Sequence, residues 1–256
     1  MGLRGTVDRD DIPDVTEIFE LDQKGRSYSV AVPFLAGLEE LTRTASEDPF
    51  QWDTRRIRKA LAFYFCTPYD GTSPNWYLSL VRNRPETVAD VLVQFAGSGF
   101  RSDRNHIKRL YEFAHDPEHA EVARHASLAL LRAVPIRCRV RHLPFVENLL
   151  WAALQHSERP ILGRLIERKL SCSSMNVAQR VYWLAAGLTV SPVVYKDRLE
   201  NFVKGSEGRI RRMADFHSSG LRVQFSFDHL EVPVLEFLIR LAVSYTHLTL
   251  PTKRIV

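Results

Sequence analysis

Apolar residues recur at three- and four-residue spacing through most of this chain, which is the periodicity of amphipathic α-helices. The first clear stripe contains Ile57, Leu61 and Phe65, and it follows Asp53, a residue type that caps helix N-termini. Equivalent stripes occur at 88–95, 107–114, 122–133, 146–153, 162–170, 177–188, 195–203, 210–214 and 234–241. The pattern predicts an all-α fold from about residue 50 onward.

Proline placement indicates how these helices are connected. Prolines stand where a first helical turn is expected at positions 74, 85, 117, 144, 160, 192 and 233. The links are therefore short, and short links favour antiparallel neighbours. One helix pair takes roughly 30 to 40 residues, as in HEAT, armadillo and tetratricopeptide arrays. The Trp-Leu-Gly-Tyr consensus of the tetratricopeptide repeat is missing, so we expect an irregular, HEAT-like α-solenoid of antiparallel helix pairs over residues 48–242.

Two segments depart from this pattern. Residues 1–47 are polar and poorly periodic, and a single helix is predicted there, beginning near Pro33. Residues 223–227 alternate apolar and polar side chains as a β-strand does. Because the alternation is isolated, we interpret this pentapeptide as an extended connector between repeats.

The last fourteen residues, 243–256, resemble translated sequencing adapter. Val243 through Thr252 match one reading frame of the transposon end and adapter used in tagmentation libraries. We expect the native sequence to stop near Ala242 and the chain to be a fragment of a longer protein, with 243–256 an artefact. The alternative is an ordinary frayed C-terminus.

Composition narrows the class of protein. The formal net charge is +5, and it falls to +3 without Lys253 and Arg254, which is too small an excess to indicate nucleic acid by itself. The three cysteines are far apart and form no CxxC pair, as expected in a reducing, cytoplasmic compartment. No apolar run approaches the roughly 18 residues of a membrane span.

Sequence motifs give no candidate catalytic residue and no cofactor. The phosphate-loop, GxGxxG, HExxH and GxSxG signatures are absent. Imidazoles and carboxylates do gather around one proline turn, but a helix break separates the histidines. We therefore predict helix-end and capping roles rather than a metal site for Glu112, His115, Glu118, His119 and His125.

Arginine-rich segments are the main candidates for an anion site. In a solenoid, loops along one edge align, so these side chains could form a stripe that contacts phosphates. Interleaved acidic residues favour the simpler interpretation of helix capping and surface ion pairs. The candidate phosphate-binding residues are Arg101, Arg104, Lys108, Arg139, Arg141 and Arg168.

Aromatic residues flank an unusual loop around Asp70 and Gly71. Tyr69, Trp76 and Tyr77 there could form a protein-binding hot spot, or they could cover the edge of the first repeat. Trp151 and Trp183 stand within or beside long apolar stripes and are predicted to be core residues.

The succession of short-linked helix pairs expected over residues 50–242 resembles the HEAT-like regions that follow the NTPase core in large bacterial NACHT and related STAND proteins. Many of those proteins act in phage defence. That resemblance implies a sensor or scaffold arm that binds a protein partner or the rest of its own chain. The hypothesis that follows is a non-catalytic interaction module without a membrane segment. The alternative is a nucleic-acid-binding solenoid with an arginine-rich face, similar to the HEAT-like DNA glycosylases.

Overall fold

The structure is a computed structural model, and it describes residues 4–44, 48–67, 73–101, 110–222, 230 and 232–249. All regular secondary structure within those ranges is helical, which confirms the predicted all-α fold. The chain divides into two compact units, Met1–Pro135 and Ile136–Val256. The stacking of helix pairs into a solenoid, and the predicted boundaries at 47/48 and 242/243, stay predictions.

The first unit contains eight α-helices in its described part. Short 3₁₀ turns at Pro49–Gln51 and Pro117–His119 precede α4 and α8. The α-helices are α1 Arg4–Val7, α2 Val15–Gln23, α3 Ala31–Arg43, α4 Thr54–Cys66, α5 Asn75–Asn83, α6 Pro85–Arg101, α7 Glu112–His115 and α8 Ala120–Ala133.

The second unit begins with a 3₁₀ turn at Val140–His142, which leads directly into a long helix. Its α-helices are α9 Leu143–His156, α10 Arg159–Leu170, α11 Val177–Val190, α12 Pro192–Val203, α13 Glu207–Arg222 and α14 Val232–Thr249. The backbone of α14 continues through the first residues of the adapter-like stretch. The rest of that stretch, 250–256, and the predicted connector at 223–227 lie outside the described residues.

Helix starts follow local hydrogen-bond chemistry. Asp53 accepts a hydrogen bond from the Arg56 backbone N–H at 2.9 Å, as the sequence predicts for a cap of α4. Asp14 caps α2 in the same way, and Glu17 completes a capping box. The sequence pattern did not predict α2, because this helix is nine residues long and buries only one short apolar face.

The core of the first unit surrounds α4. Seven consecutive residues of this helix, 59–65, are buried, and α4 packs against α2, α3 and α6. Lys59 belongs to that run, and its ammonium donates a hydrogen bond to the Ile12 carbonyl at 2.6 Å. Burial lowers the pKa of Lys59, and the charge of Arg55 adds to this effect.

The core of the second unit surrounds α11, which packs against α9, α10, α12 and α13. Two glycines allow aromatic rings of neighbouring helices to lie close to a helix backbone. Gly187 lets the Tyr195 ring of α12 lie against the α11 backbone, and Gly220 does the same for the Trp151 ring against α13. Trp151 also donates a hydrogen bond to the Phe216 carbonyl at 3.2 Å and stacks on its ring. Trp151 and Trp183 are both buried, so their prediction as core residues is confirmed.

Substitution of Gly187 tests this packing. A Cβ at position 187 would lie 2.7 Å from Tyr195 Cδ1, so Gly187→Ala is expected to destabilise the fold by about 1–3 kcal/mol. Gly208 in α13 is the matched control, because no described atom lies within 4 Å of the position that a Cβ would occupy there. Gly208→Ala is expected to stabilise by about 0.5–1 kcal/mol through helix propensity. Urea unfolding of both variants measures the difference, and equal effects would contradict the proposed contact.

Candidate functional site

A buried hydrogen-bonded chain joins α5 to the turn before α8 in the first unit. His119 Nδ1 lies 2.9 Å from an Asp116 carboxylate oxygen, and His119 Nε2 lies 3.0 Å from the Tyr77 hydroxyl. Both ring nitrogens of His119 therefore have a polar partner, and the tautomer sets which nitrogen donates. Because Tyr77 and His119 are fully buried, this chain fixes the packing of α5.

The two described aromatics of the predicted loop hot spot lie inside the protein. Trp76 and Tyr77 are both fully buried in α5, where Tyr64 contacts each ring at centroid distances of 5.5 and 4.4 Å. Of the two interpretations of this segment, core packing applies to these residues, and their assignment as an exposed binding pair is corrected. Tyr69 lies outside the described residues.

The histidines and acids near the proline turn have separate partners. The His115 ring stacks on Tyr111 at 3.7 Å, and Glu118 pairs with Arg82 at 2.6 Å. His119 belongs to the buried chain with Tyr77. Across the described residues, no group of three or more His, Cys, Asp or Glu side chains is placed to hold a metal ion.

Exposed arginines and valines of the second unit lie on the 136–142 loop, at the end of α10 and at the start of α11, and we call this set of residues the basic corner. Arg139 and Arg141 of the predicted phosphate-binding set are exposed on the 136–142 loop, and Arg168 is exposed in the last turn of α10. The remaining members of that set, Arg104 and Lys108 together with the Arg101 side chain, lie outside the described part. The basic corner consists of Arg137, Arg139, Val140, Arg141, Arg168 and Val177.

Buried hydrogen bonds hold the 136–142 loop against the start of α11. The Asn176 side-chain amide donates to the Cys138 carbonyl at 2.7 Å, and the Cys138 N–H donates to the Gln179 side-chain oxygen at 2.9 Å. Asn176 also caps α11 by accepting from the Gln179 backbone N–H at 2.7 Å. Gln179 is completely buried, so the loop is anchored from the core and its arginines are carried on a rigid base.

Lys169 places the end of α10 beside the same loop. Its side chain is 6% exposed, and its ammonium lies 5.9 Å from the centroid of the Trp183 ring. Burial lowers the pKa of Lys169 to about 8, and the charge of Arg168 adds to this effect. Burial also raises the pKa of the Cys138 thiol to about 11, and the positive charge of Lys169 opposes that rise.

Two exposed valines give the basic corner an apolar component. Val140 is 70% exposed between Arg139 and Arg141, and Val177 is 49% exposed directly after Asn176. The nearby Glu167 accepts hydrogen bonds from Arg198 and Tyr195 at 2.7 and 2.9 Å, so its charge is matched by α12. Val140 was not singled out in the sequence, because a single valine between arginines carries no periodic signal. Val177 was placed in the apolar stripe 177–188, but it is the first residue of α11 and is exposed.

Comparison with known proteins finds no matching family model, no matching curated protein and no matching solved structure. Within the described part of the chain, no helix combines the length and apolar character needed to cross a membrane. The case for function therefore depends on the geometry of the two units.

The buried ammonium of Lys169 gives stability a specific pH dependence. Since the folded pKa is about 8 and the unfolded value 10.5, the unfolded state binds more protons between those values, and stability rises with pH there. Lys169→Met removes the cost of burying the charge and is expected to stabilise at pH 7 by roughly 1–3 kcal/mol. Urea unfolding from about pH 7 to 9 should show a steeper rise for the native chain than for the variant.

Cys138 limits the pH range over which stability rises. Its folded pKa of about 11 against 9.0 unfolded makes stability fall at higher pH, opposite to the contribution of Lys169. Lys59 also makes stability rise with pH, in the native chain and in the Lys169→Met variant alike. Only the difference in slope between these two proteins therefore reports on Lys169. A Lys169→Met variant with the native slope would contradict the placement of this ammonium.

Proposed function

We propose that this chain is a non-catalytic helical interaction module that binds an acidic protein segment at the basic corner. The observation that carries the proposal is the exposure of Val140 between Arg139 and Arg141 on a loop anchored by Gln179, with Val177 exposed at the start of α11. Arginine is enriched in protein interfaces, where it surrounds a dehydrated apolar centre. The rigid loop lowers the ordering entropy lost on binding. Such a surface suits the sensor or scaffold arm expected from the sequence.

Nucleic acid is the second candidate, because Arg139, Arg141 and Arg168 belong to the predicted phosphate-binding set. Phosphate contacts depend on charge and on counterion release, and they gain little from an exposed aliphatic side chain. Val140 at 70% exposure therefore favours a partner that carries apolar residues together with acidic ones. An acidic peptide with interspersed leucines provides both.

The test is fluorescence anisotropy with a labelled peptide in which glutamate alternates with leucine, measured beside single- and double-stranded DNA. The native chain is expected to bind the peptide more tightly than either DNA at moderate salt. Charge reversal of Arg137, Arg139 and Arg141 to Glu should weaken peptide binding at least ~10-fold. Val140→Ser should weaken it several-fold without changing its salt dependence.

The matched control reverses two exposed arginines of the second unit that lie outside the basic corner, Arg159 and Arg211. This double variant makes the same kind of charge reversal at two positions instead of three, and it should keep native affinity for the peptide. If DNA binds more tightly than the peptide and Val140→Ser has no effect, the partner is nucleic acid and not a protein segment. Equal losses of peptide affinity in the basic-corner variants and in the control variant would show that the basic corner is not the binding site.

A further inference from the structure

A cleft of about 180 Å³ lies in the first unit, where the first half of α4 meets the segment that links α1 to α2. Its apolar lining consists of Val7, Ile12 and Phe34, each of which is more than nine-tenths buried. The rest of its lining is charged and includes cationic side chains of α4. The cleft is smaller than the ~300–1,000 Å³ of drug-sized sites, so it suits a small ligand.

Lys59 contributes a buried ammonium to this cleft. The residue is only 8% exposed. Its ammonium donates to the Ile12 carbonyl at 2.6 Å, and both residues of this hydrogen bond line the cleft. An ammonium carries three N–H donors. Within the described part of the chain Ile12 provides its one acceptor, so two donors remain for a ligand.

Arg55 places a second positive charge beside Lys59, and we call these two residues the cation pair. They are four residues apart in α4, so they lie on the same helix face, and both line the cleft. Burial lowers the pKa of Lys59 most, and repulsion by Arg55 lowers it further, while the charges of Asp14, Asp10 and Glu17 oppose this more weakly. An anion that contacts both cations replaces their repulsion with attraction.

The other arginines that line the cleft have carboxylate partners. Arg56 pairs with Asp8 at 2.7 Å, and Arg9 pairs with Asp11 at 2.8 Å. These ion pairs match each arginine with one acid. The charge available to a ligand is therefore that of the cation pair.

Two further carboxylates border the cleft. Asp53 accepts the Arg56 backbone N–H at 2.9 Å as the cap of α4, so it is oriented toward the helix backbone. Asp10 is exposed, and solvent screens its charge. The cation pair is screened less on the side of Lys59, because that ammonium is buried.

We propose that the cleft binds the phosphoryl group of a small phosphorylated compound, or free phosphate, through the cation pair. The planar guanidinium of Arg55 donates to two phosphoryl oxygens, and the Lys59 ammonium donates to a third. A phosphate dianion matches the two positive charges. A carboxylate has one charge and two oxygens, so it matches the pair less well.

Isothermal titration calorimetry of the full chain with inorganic phosphate, at low ionic strength, tests the proposal. The expected result is saturable binding with a Kd below about 1 mM. Acetate should bind at least ~10-fold more weakly. The variant with Arg137, Arg139 and Arg141 reversed to Glu should keep this phosphate affinity, which separates the cleft from the basic corner.

Glycerol 3-phosphate distinguishes the two sources of the phosphoryl group. Affinity at least ~3-fold higher than that of inorganic phosphate identifies a phosphorylated compound, because the glycerol part then adds contacts in the cleft. Affinity no higher than that of inorganic phosphate identifies free phosphate as the ligand.

Variants connect the binding to the cation pair. Arg55→Gln and Lys59→Met should each lower the affinity for phosphate at least ~10-fold. The matched control is Arg58→Gln, which makes the same change in charge on the same helix at a residue that does not line the cleft. Circular dichroism confirms folding. If Lys59→Met unfolds, the comparison of Arg55→Gln with Arg58→Gln decides, since Arg55 is exposed.

The proposal is overturned if neither inorganic phosphate nor glycerol 3-phosphate binds saturably. Acetate that binds as tightly as phosphate overturns it too, since the dianion is then not required. Native affinity in Arg55→Gln, or an equal loss in Arg58→Gln, shows that the cation pair is not the site. None of these outcomes depends on peptide binding at the basic corner.

Discussion

The hydrogen bond from the Cys138 N–H to the buried Gln179 side chain is the contact on which the proposed binding surface depends. Gln179 lies on α11, the helix around which the second unit packs, and it is completely buried. A buried amide without partners is unfavourable, so the chain must bring polar backbone to it. The 136–142 loop provides that backbone, and its exposed arginines and Val140 take their positions as a consequence.

A comparable constraint organises the first unit. His119 is buried, and each of its ring nitrogens has a polar partner, with Asp116 on one side and the Tyr77 hydroxyl on the other. This chain holds α5 with Trp76 and Tyr77 in the core. In both units, a buried polar side chain therefore fixes the position of a neighbouring segment.

The sequence predicted the helices well where an apolar stripe and a start signal coincide. Asp53 before α4 and Pro192 at the start of α12 are examples, because capping and proline geometry are local properties. The sequence left open whether Trp76 and Tyr77 form a binding hot spot or cover the edge of a repeat, because the preceding turn signal suggested a loop. Both residues are spaced from Leu80 as on one helix face, and that spacing was the available signal. The hydrogen bonds that join Cys138 to Asn176 and Gln179 could not be predicted, since they depend on how the 136–142 loop packs against α11.

Amide hydrogen exchange of the full chain, with and without the acidic leucine-containing peptide, tests the central claim most directly. We predict increased protection in the 136–142 loop and the first turn of α11, with exchange in the first unit unchanged. Protection confined to the first unit, or none at a saturating peptide concentration, would contradict the assignment of the basic corner as the binding surface.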